Sequence, residues 1–331
     1  MNQLAYNHIK EHFTGKQILV TGANGYIATN LIEALKDVEC SVVRLSRKSN
    51  LQSVDGVANI VDVQGDIRDE KIWKEALNGT EIIYHFAAQT SAYIAEEKPF
   101  DDFQSNVMPM IRLLEICQNQ LCKPSVIFSG TVTETGITKH VPVNEDRQDK
   151  PATIYDLHKL MAENYLKYYS EKEIVQGVIL RLANVYGPGP KSSGKDRGIL
   201  NLMIRKALDG SSLSVYGAGK QIRDYIYIDD VVRAFLVAAS NIGKTRGQHF
   251  VIGSGVGFSV SDAINLVAER VYDKTGIRAE VTHIKPPSAL SLIEERIFIA
   301  DISRFSLCTC WKPEIPLIDG IDRTIDFYCS G

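Results

Sequence analysis

Residues 16–36 read Lys-Gln-Ile-Leu-Val-Thr-Gly-Ala-Asn-Gly-Tyr-Ile-Ala-Thr-Asn-Leu-Ile-Glu-Ala-Leu-Lys. A short apolar run, Lys16–Val20, stops at Thr21-Gly22. Helical spacing then sets in over Tyr26–Lys36, with Ile27, Leu31, Ile32 and Leu35 recurring three or four apart. The order predicted is strand, glycine turn, helix. Gly22-x-x-Gly25-x-x-Ala28 sits across the join, as a turn that accepts a dinucleotide requires. Gly22 permits the tight turn, Gly25 lets a backbone approach a pyrophosphate, and the helix N-terminus attracts the negative charge. Ala28 stands in place of a third glycine.

The pattern repeats outward from that unit. Strands are predicted at Ser41–Leu45, Asn59–Val63, Glu81–Phe86, Ser125–Phe128 and Gln176–Leu182. Helices are predicted at Lys71–Leu77, Val107–Gln118 and Tyr155–Tyr169. Alternating elements with nearly all-apolar strands indicate an α/β fold, a doubly wound parallel sheet covered on both faces (Rossmann). After Tyr186 the texture changes: Gly187-Pro188-Gly189-Pro190 and the polar Lys191–Gly198 predict a loop. Helices at Ile199–Leu208 and Val231–Ala239 flank an apolar segment at Leu213–Tyr216. From Gly253 the chain reads as a smaller mixed α/β C-terminal substrate lobe with proline-rich joints at Pro286-Pro287 and Pro313–Pro316. The expected division is residues 1–186 with 224–252 as the dinucleotide-binding domain, and 187–223 with 253–331 as the substrate lobe. Ligand should lie between that lobe and the carboxyl ends of the strands.

Composition narrows the class of protein. With 331 residues, 44% hydrophobic and 23% charged, the chain has ample core and ordinary solubility. A net charge of -3 gives no basic footprint for nucleic acid. No apolar run approaches membrane-span length, and Met1–Phe13 lacks the apolar core of a signal peptide. Six cysteines show no zinc-ligand spacing, which predicts reduced thiols in a cytoplasmic enzyme and no metal site.

The chemistry concentrates at Tyr155-x-x-x-Lys159. Residues four apart share a helix face. An ammonium beside a phenol favours the phenolate, and so a proton acceptor near neutral pH. That is what oxidation of an alcohol needs, with a nicotinamide taking the hydride. The second strand ends Arg44-Leu45-Ser46-Arg47-Lys48, with Ser46 where an acid would bond the ribose 2′-hydroxyl of NAD. Arg47, with Lys48 or Arg44, suits a 2′-phosphate instead, so NADP(H) is favoured over NAD(H); the alternative is a solvated charge cluster. Asp66 and Ile67 end the third strand, where Asp66 meets an adenine amino group or caps the next turn. Small residues at Ala87-Ala88-Gln89 suit close approach to the cofactor, and His85 reads as a packed histidine.

These motifs, in this order, resemble the extended short-chain dehydrogenase/reductase superfamily and, within it, the nucleotide-sugar epimerase/dehydratase family. The likeness runs nearly end to end, through Gly65-Asp66, Phe86-Ala87-Ala88, Phe128-Ser129-Gly130-Thr131, Tyr155-x-x-x-Lys159, Arg181-Leu-Ala-Asn184-Val-Tyr-Gly-Pro-Gly and Gln221-Ile-Arg223-Asp224-Tyr225. It implies Thr131 as the Ser/Thr that donates to the sugar oxygen, Tyr155 as acid/base, and Lys159 as the residue bonding the nicotinamide ribose. The same likeness places Gly22, Asn24, Gly25, Tyr26, Ile27, Ser46, Arg47, Asp66, Ile67, Ala87, Ala88, Gln89, Asn106, Ala183 and Val185 around the cofactor. Asn106 would help fix the surroundings of Lys159. On the substrate side it implies Asn184 and the Asn201-Leu202 pair at the nucleoside diphosphate, Tyr216 near the base, and Arg223 clamping pyrophosphate. Arg296 is a second phosphate contact by looser similarity, with a surface salt bridge as its alternative. Family members commonly form a homodimer by pairing the helices that match Val107–Gln118 and Tyr155–Tyr169.

The chain also departs from the family pattern. Sugar 4,6-dehydratases follow the Thr with Asp-Glu or Ser-Glu; here Val132-Thr133 follows and Glu134 falls one place late. Elimination is disfavoured. The expectation is a nucleotide-sugar epimerase acting by transient oxidation at the C4 hydroxyl. The alternatives are an NADPH-dependent 4-keto-sugar reductase, an NADP-dependent reductase of a non-sugar ketone, and a non-catalytic nucleotide-binding protein. The loops Thr133–Val141, Lys191–Gly198 and Pro286–Leu292, expected to shape the sugar pocket, carry no readable code.

Overall fold

The structure, a computed structural model, describes residues 9–49, 51–119, 123–138, 140–189, 198–286 and 292–330. Most of the expected loop at Lys191–Gly198, Pro287 of the proline joint, Lys139 and Cys122 therefore lie outside the described residues. The first six strands are β1 (Gln17–Thr21), β2 (Ser41–Ser46), β3 (Asn59–Gln64), β4 (Ile82–His85), β5 (Ser125–Thr131) and β6 (Gln176–Leu182). They are followed by β7 (Asn184–Tyr186), β8 (Leu213–Tyr216), β9 (Ile222–Tyr227), β10 (His249–Ile252), β11 (Gly257–Ser259) and β12 (Val281–Ile284).

Seven strands form one parallel sheet in the order β10-β6-β5-β4-β1-β2-β3. The alternation of side chains explains why its strands are apolar throughout. Ile18 and Val20 enter one buried cluster with Val42, Ile82, Tyr84 and Ile127. Their neighbour Leu19 enters a second, with Val43, Ile83, Trp73, Leu113 and Phe128. Each buried Leu or Ile contributes roughly 1.5–3 kcal/mol, and both faces are filled. The chain reverses its winding direction between β1 and β4, which opens the crevice at the carboxyl ends of those strands.

Expected elements shift in ways that matter for the site. β5 continues to Thr131, paired with Leu182 of β6, and so carries Thr131 to the crevice edge. Helix Ile154–Glu171 starts one residue before Tyr155. Two helices, Ala92–Glu97 and Pro99–Asn106, occupy a stretch where the sequence suggested no element. They are short and weakly striped; their signals are the cap from Ser91 and Pro99 in the first turn. The second lobe holds two small sheets, β11-β9-β7 and β12-β8, backed by helices Ile199–Leu208, Val260–Thr275 and Leu317–Ser330. Asp224 ties this lobe together, accepting from the backbone N–H of Ser254, Gly255 and Ala300 and from the Ser254 hydroxyl. Among the described residues no helix is long and apolar enough to cross a membrane, and no cluster of metal-binding side chains occurs.

Candidate active site

Thr131 ends β5 and caps the 3₁₀ turn Val132–Thr135, where a capping box forms. The Thr131 side chain accepts from the Thr133 N–H, and Glu134 Oε1 accepts from the Thr131 N–H at 2.9 Å. Glu134 is fully buried beneath this turn. Burial, then the nearby charge of Glu163, pushes its carboxyl well above the usual range, against the opposing charge of Arg181. Its Oε1 is engaged by the cap, and its Oε2 lies 3.1 Å from Arg181 Nε. Under it Arg181 is wholly buried, bonding Glu163 at 2.9 and 2.7 Å and Asp149 at 2.6 and 2.9 Å.

Helix Ile154–Glu171 delivers Tyr155 and Lys159 from the adjoining edge. Its N-cap is Thr153, whose hydroxyl accepts from the Asp156 N–H at 3.2 Å. Tyr155 is half-buried, and Lys159 is 3% exposed with its ammonium 3.9 Å from the Phe128 ring centre. Burial lowers the Lys159 pKa to about 8, against the opposing charges of Glu134, Glu163 and Asp102. Asp102 was not anticipated. It is fully buried and accepts from Gln89 Nε2 at 2.7 Å and Asn106 Nδ2 at 2.9 Å, and it pairs with His158 Nδ1 at 2.6 Å. Asn106 in turn grips the backbone of Gln89 through both ends of its amide, at 3.0 Å each. His85 is packed as expected: it stacks on Phe128 and meets Thr21 Oγ1 at 2.9 Å, and burial lowers its pKa to about 3.

The glycine turn fits a dinucleotide. Gly22 has φ +65, and a Cβ there would stand 2.8 Å from the Ala87 backbone, so the β1 and β4 loops touch only because it has none. Gly25 is the N-cap of helix Tyr26–Leu35; no side chain caps that end and its first turn has no acid. Its N–H groups suit a pyrophosphate. Asn24, Tyr26 and Ile27 line this turn, and the Tyr26 hydroxyl donates to Gly187 O at 2.9 Å. At the end of β2, Ser46 is buried with its Oγ taken by the Lys48 N–H, while Arg47 is exposed. Arg44 is corrected as a phosphate partner: its fork is occupied by Asp62 at 2.6 and 2.8 Å. Asp66 takes the local alternative, accepting from Arg68 backbone and side chain. Ile67 lies beside it, its carbonyl accepting from Trp73 at 2.6 Å.

On the lobe side, Ala183 and Val185 flank Asn184 where β6 gives way to β7. The Asn201 side chain is fully buried and accepts from the Gly187 N–H at 3.0 Å, so it braces the loop after β7; Leu202 follows it on the same helix. Tyr216 is 46% exposed, which removes the core-tyrosine alternative. The two arginines stand differently from expectation. Arg223 spends its fork on the backbone carbonyls of Glu294 and Arg296, and so orders that segment. Arg296 makes no salt bridge among the described residues, which corrects the surface-pair alternative. It donates to Asn184 Oδ1 at 3.3 Å, and its Nε is enclosed without a partner among the described residues. Burial, then the neighbouring Arg223 charge, lowers its pKa to about 10, so it stays cationic at neutral pH.

A seven-stranded parallel sheet, a glycine turn at its switch point and a Thr–Tyr–Lys set at the crevice define an enzyme of the extended short-chain dehydrogenase/reductase type. The pattern of the NAD dependent epimerase/dehydratase family matches residues 18–253, and the chain belongs to that family. A UDP-glucose 4-epimerase of Mycolicibacterium smegmatis is 30% identical over 316 residues, covering 94% of this chain and 97% of that one. The UDP-glucose 4-epimerase of Thermotoga maritima, solved with UDP-glucose, superposes with a TM-score of 0.84 at 28% identity, covering 95% and 99%. The UDP-glucuronic acid 4-epimerase of Bacillus cereus, solved with UDP-glucuronic acid and NAD, gives 0.80 at 26% identity and the same coverage.

Proposed function

We propose that this enzyme is a nucleotide-sugar 4-epimerase acting on a UDP-hexose by transient oxidation at C4. The observation that carries the reading is Thr131, fixed by its capping box at the end of β5, facing a helix that presents Tyr155 and Lys159. A nicotinamide bound in the crevice supplies a hydride acceptor and returns the hydride. Gly22, Asn24, Gly25, Tyr26 and Ile27 hold its pyrophosphate, with Ala87, Ala88, Gln89, Ala183 and Val185 bordering the rest. Tyr155 takes the C4 hydroxyl proton and gives it back, Thr131 orients that oxygen, and Lys159 favours the phenolate. Asn184, Leu202 and Arg296 hold the diphosphate, Arg223 positioning Arg296, with Asn201 bracing the loop and Tyr216 beside the base. Dehydration is disfavoured because Glu134 is committed beneath the turn.

The two-part division of the chain fits this reading once β7 and the whole of β9 are moved from the dinucleotide-binding domain to the substrate lobe, where they form a sheet with β11. A cytoplasmic homodimer through the helices that match Val107–Gln118 and Tyr155–Tyr169 also fits, the second of which leaves Leu157 42% and Tyr168 56% exposed. A second reading, an NADPH-dependent 4-keto-sugar reductase, is favoured by Ser46 and the exposed Arg47 at the ribose end of β2. One assay separates them. Purified enzyme given UDP-glucose should yield its C4 epimer with no net change in reduced-nicotinamide absorbance, and Tyr155→Phe should lower turnover at least a thousandfold while UDP still binds. Stoichiometric loss of NADPH with a 4-keto sugar, or full turnover by the variant, would overturn the epimerase reading.

A further inference from the structure

Beside the reacting groups lies a carboxylate that the proposed chemistry does not use. Asp156 follows Tyr155 in the first turn of its helix and is 1% exposed. Its Oδ1 accepts from the Thr133 hydroxyl, and Thr133 Oγ1 is 2.9 Å from Thr131 Oγ1. Asp156 is therefore two hydrogen bonds from the hydroxyl assigned to the sugar C4 oxygen. Its other oxygen, Oδ2, is enclosed and has no partner among the described residues. Close by, Arg296 feels its charge yet no ion pair joins them, and Arg296 Nε is likewise unpartnered.

An acid in a first turn is favoured by the helix dipole, but a solvated carboxylate would satisfy that equally well. A buried carboxylate oxygen without a donor is destabilising unless a ligand supplies one. The two orphan groups divide the ligand between them: a cation with a free N–H suits phosphate oxygen, and an anion with a free lone pair suits a hydroxyl. Burial raises the Asp156 pKa, while hydrogen bonds from Thr133 and Thr153 and the Arg296 charge favour the ionised form.

We infer that Asp156 is a specificity-determining residue: it accepts a hydrogen bond from the C6 hydroxyl, carried on the ring carbon C5 next to C4, and it rejects sugars whose C6 is a carboxylate. The substrate is then a neutral hexose, and a uronate is excluded by like charge in a site shielded from water. The inference rests on the nucleotide-sugar reading above and decides between the two kinds of relative, the UDP-glucose and the UDP-glucuronate epimerases.

The test is titration of the holoenzyme with UDP, UDP-glucose and UDP-glucuronate by calorimetry, for the wild type and Asp156→Asn. Wild-type enzyme should bind UDP-glucose at least roughly tenfold more tightly than UDP-glucuronate. Asp156→Asn should bind UDP unchanged and narrow that ratio to within about threefold, chiefly by gaining affinity for the uronate. Wild-type enzyme that binds UDP-glucuronate as tightly as UDP-glucose overturns the inference without any variant. So does a ratio that the substitution leaves unchanged. If neither sugar nucleotide binds, the nucleotide-sugar reading itself fails and takes this inference with it.

Discussion

Arg181 under the Thr131 turn and Arg296 beside Asn184 are both desolvated, and they are partnered in opposite ways. Each guanidinium nitrogen of Arg181 meets a carboxylate, with Glu163 and Glu134 on one side and Asp149 on the other. Burial opposes its charge, but those hydrogen bonds outweigh it and hold its pKa above the normal value. Arg296 has one amide partner, a like-charged neighbour in Arg223 and a bare Nε, and its pKa falls. The first arrangement is that of a support for the folded chain; the second is the one to which the proposed function assigns a phosphate contact. A fully matched charge marks a support, and an unmatched one marks a place for ligand.

The largest effect should follow from breaking the support. Arg181→Met takes the guanidinium from the buried Glu163, which keeps Lys167 alone as a cationic partner at 2.6 Å, and from the half-buried Asp149, and costs about 3–5 kcal/mol. Denaturant titration should show that loss, with turnover falling too because Glu134 loses its neighbour and Thr131 its cap. A loss below about 1 kcal/mol would mean that the network is ornamental to folding.

Lys159 gives the next largest effect and is tied to pH. Its folded pKa of about 8 lies below the unfolded value of 10.5, so between those pH values the unfolded chain binds more protons. Wild-type stability should therefore rise with pH across that window, by on the order of 3 kcal/mol in all. Below about pH 8 the buried ammonium is present and its full cost is felt. Lys159→Met has no such proton, so it should be the more stable protein at pH 7, and its advantage should shrink as pH climbs from about 8. Parallel stability curves for the two proteins across that range would contradict the assignment of a buried, destabilised cation.

The contrast between the two arginines also explains what could be read in advance. The sheet was legible because its strands are buried on both faces and so must be apolar throughout, and because Gly22 meets a backbone contact that only glycine permits. Thr131, Tyr155 and Lys159 were legible as a spaced set on elements with strong periodicity. Asp102, His158 and Asp156 were not: each sits in ordinary helix sequence, and only the fold brings Asp102 to His158 and Asp156 to Thr133. Arg223 and Arg296 were both read as phosphate contacts, and the fold adds that Arg223 also donates to the backbone carbonyls of Glu294 and Arg296. Which guanidinium stays free depends on how the Glu294–Arg296 segment crosses β9, and no spacing in the sequence encodes that crossing.

The smallest effect on stability should come from the substrate wall, and it sharpens the comparison most. Arg296→Met removes a desolvated charge with a like-charged neighbour and fills the space with a flexible apolar chain. Asn184 loses a 3.3 Å hydrogen bond, a modest loss because that amide lies at the open wall. The net change in unfolding free energy should stay within about 1 kcal/mol, in contrast to Arg181→Met. UDP affinity should fall roughly tenfold or more, since a charge-assisted contact to phosphate disappears. Added salt should weaken UDP binding to the wild type more than to the variant, because one fixed cation is missing. A variant that binds UDP as tightly as wild type would show that the bare Nε faces something other than the diphosphate. The division between matched supports and unmatched ligand groups would then fail at the residue that most clearly suggested it.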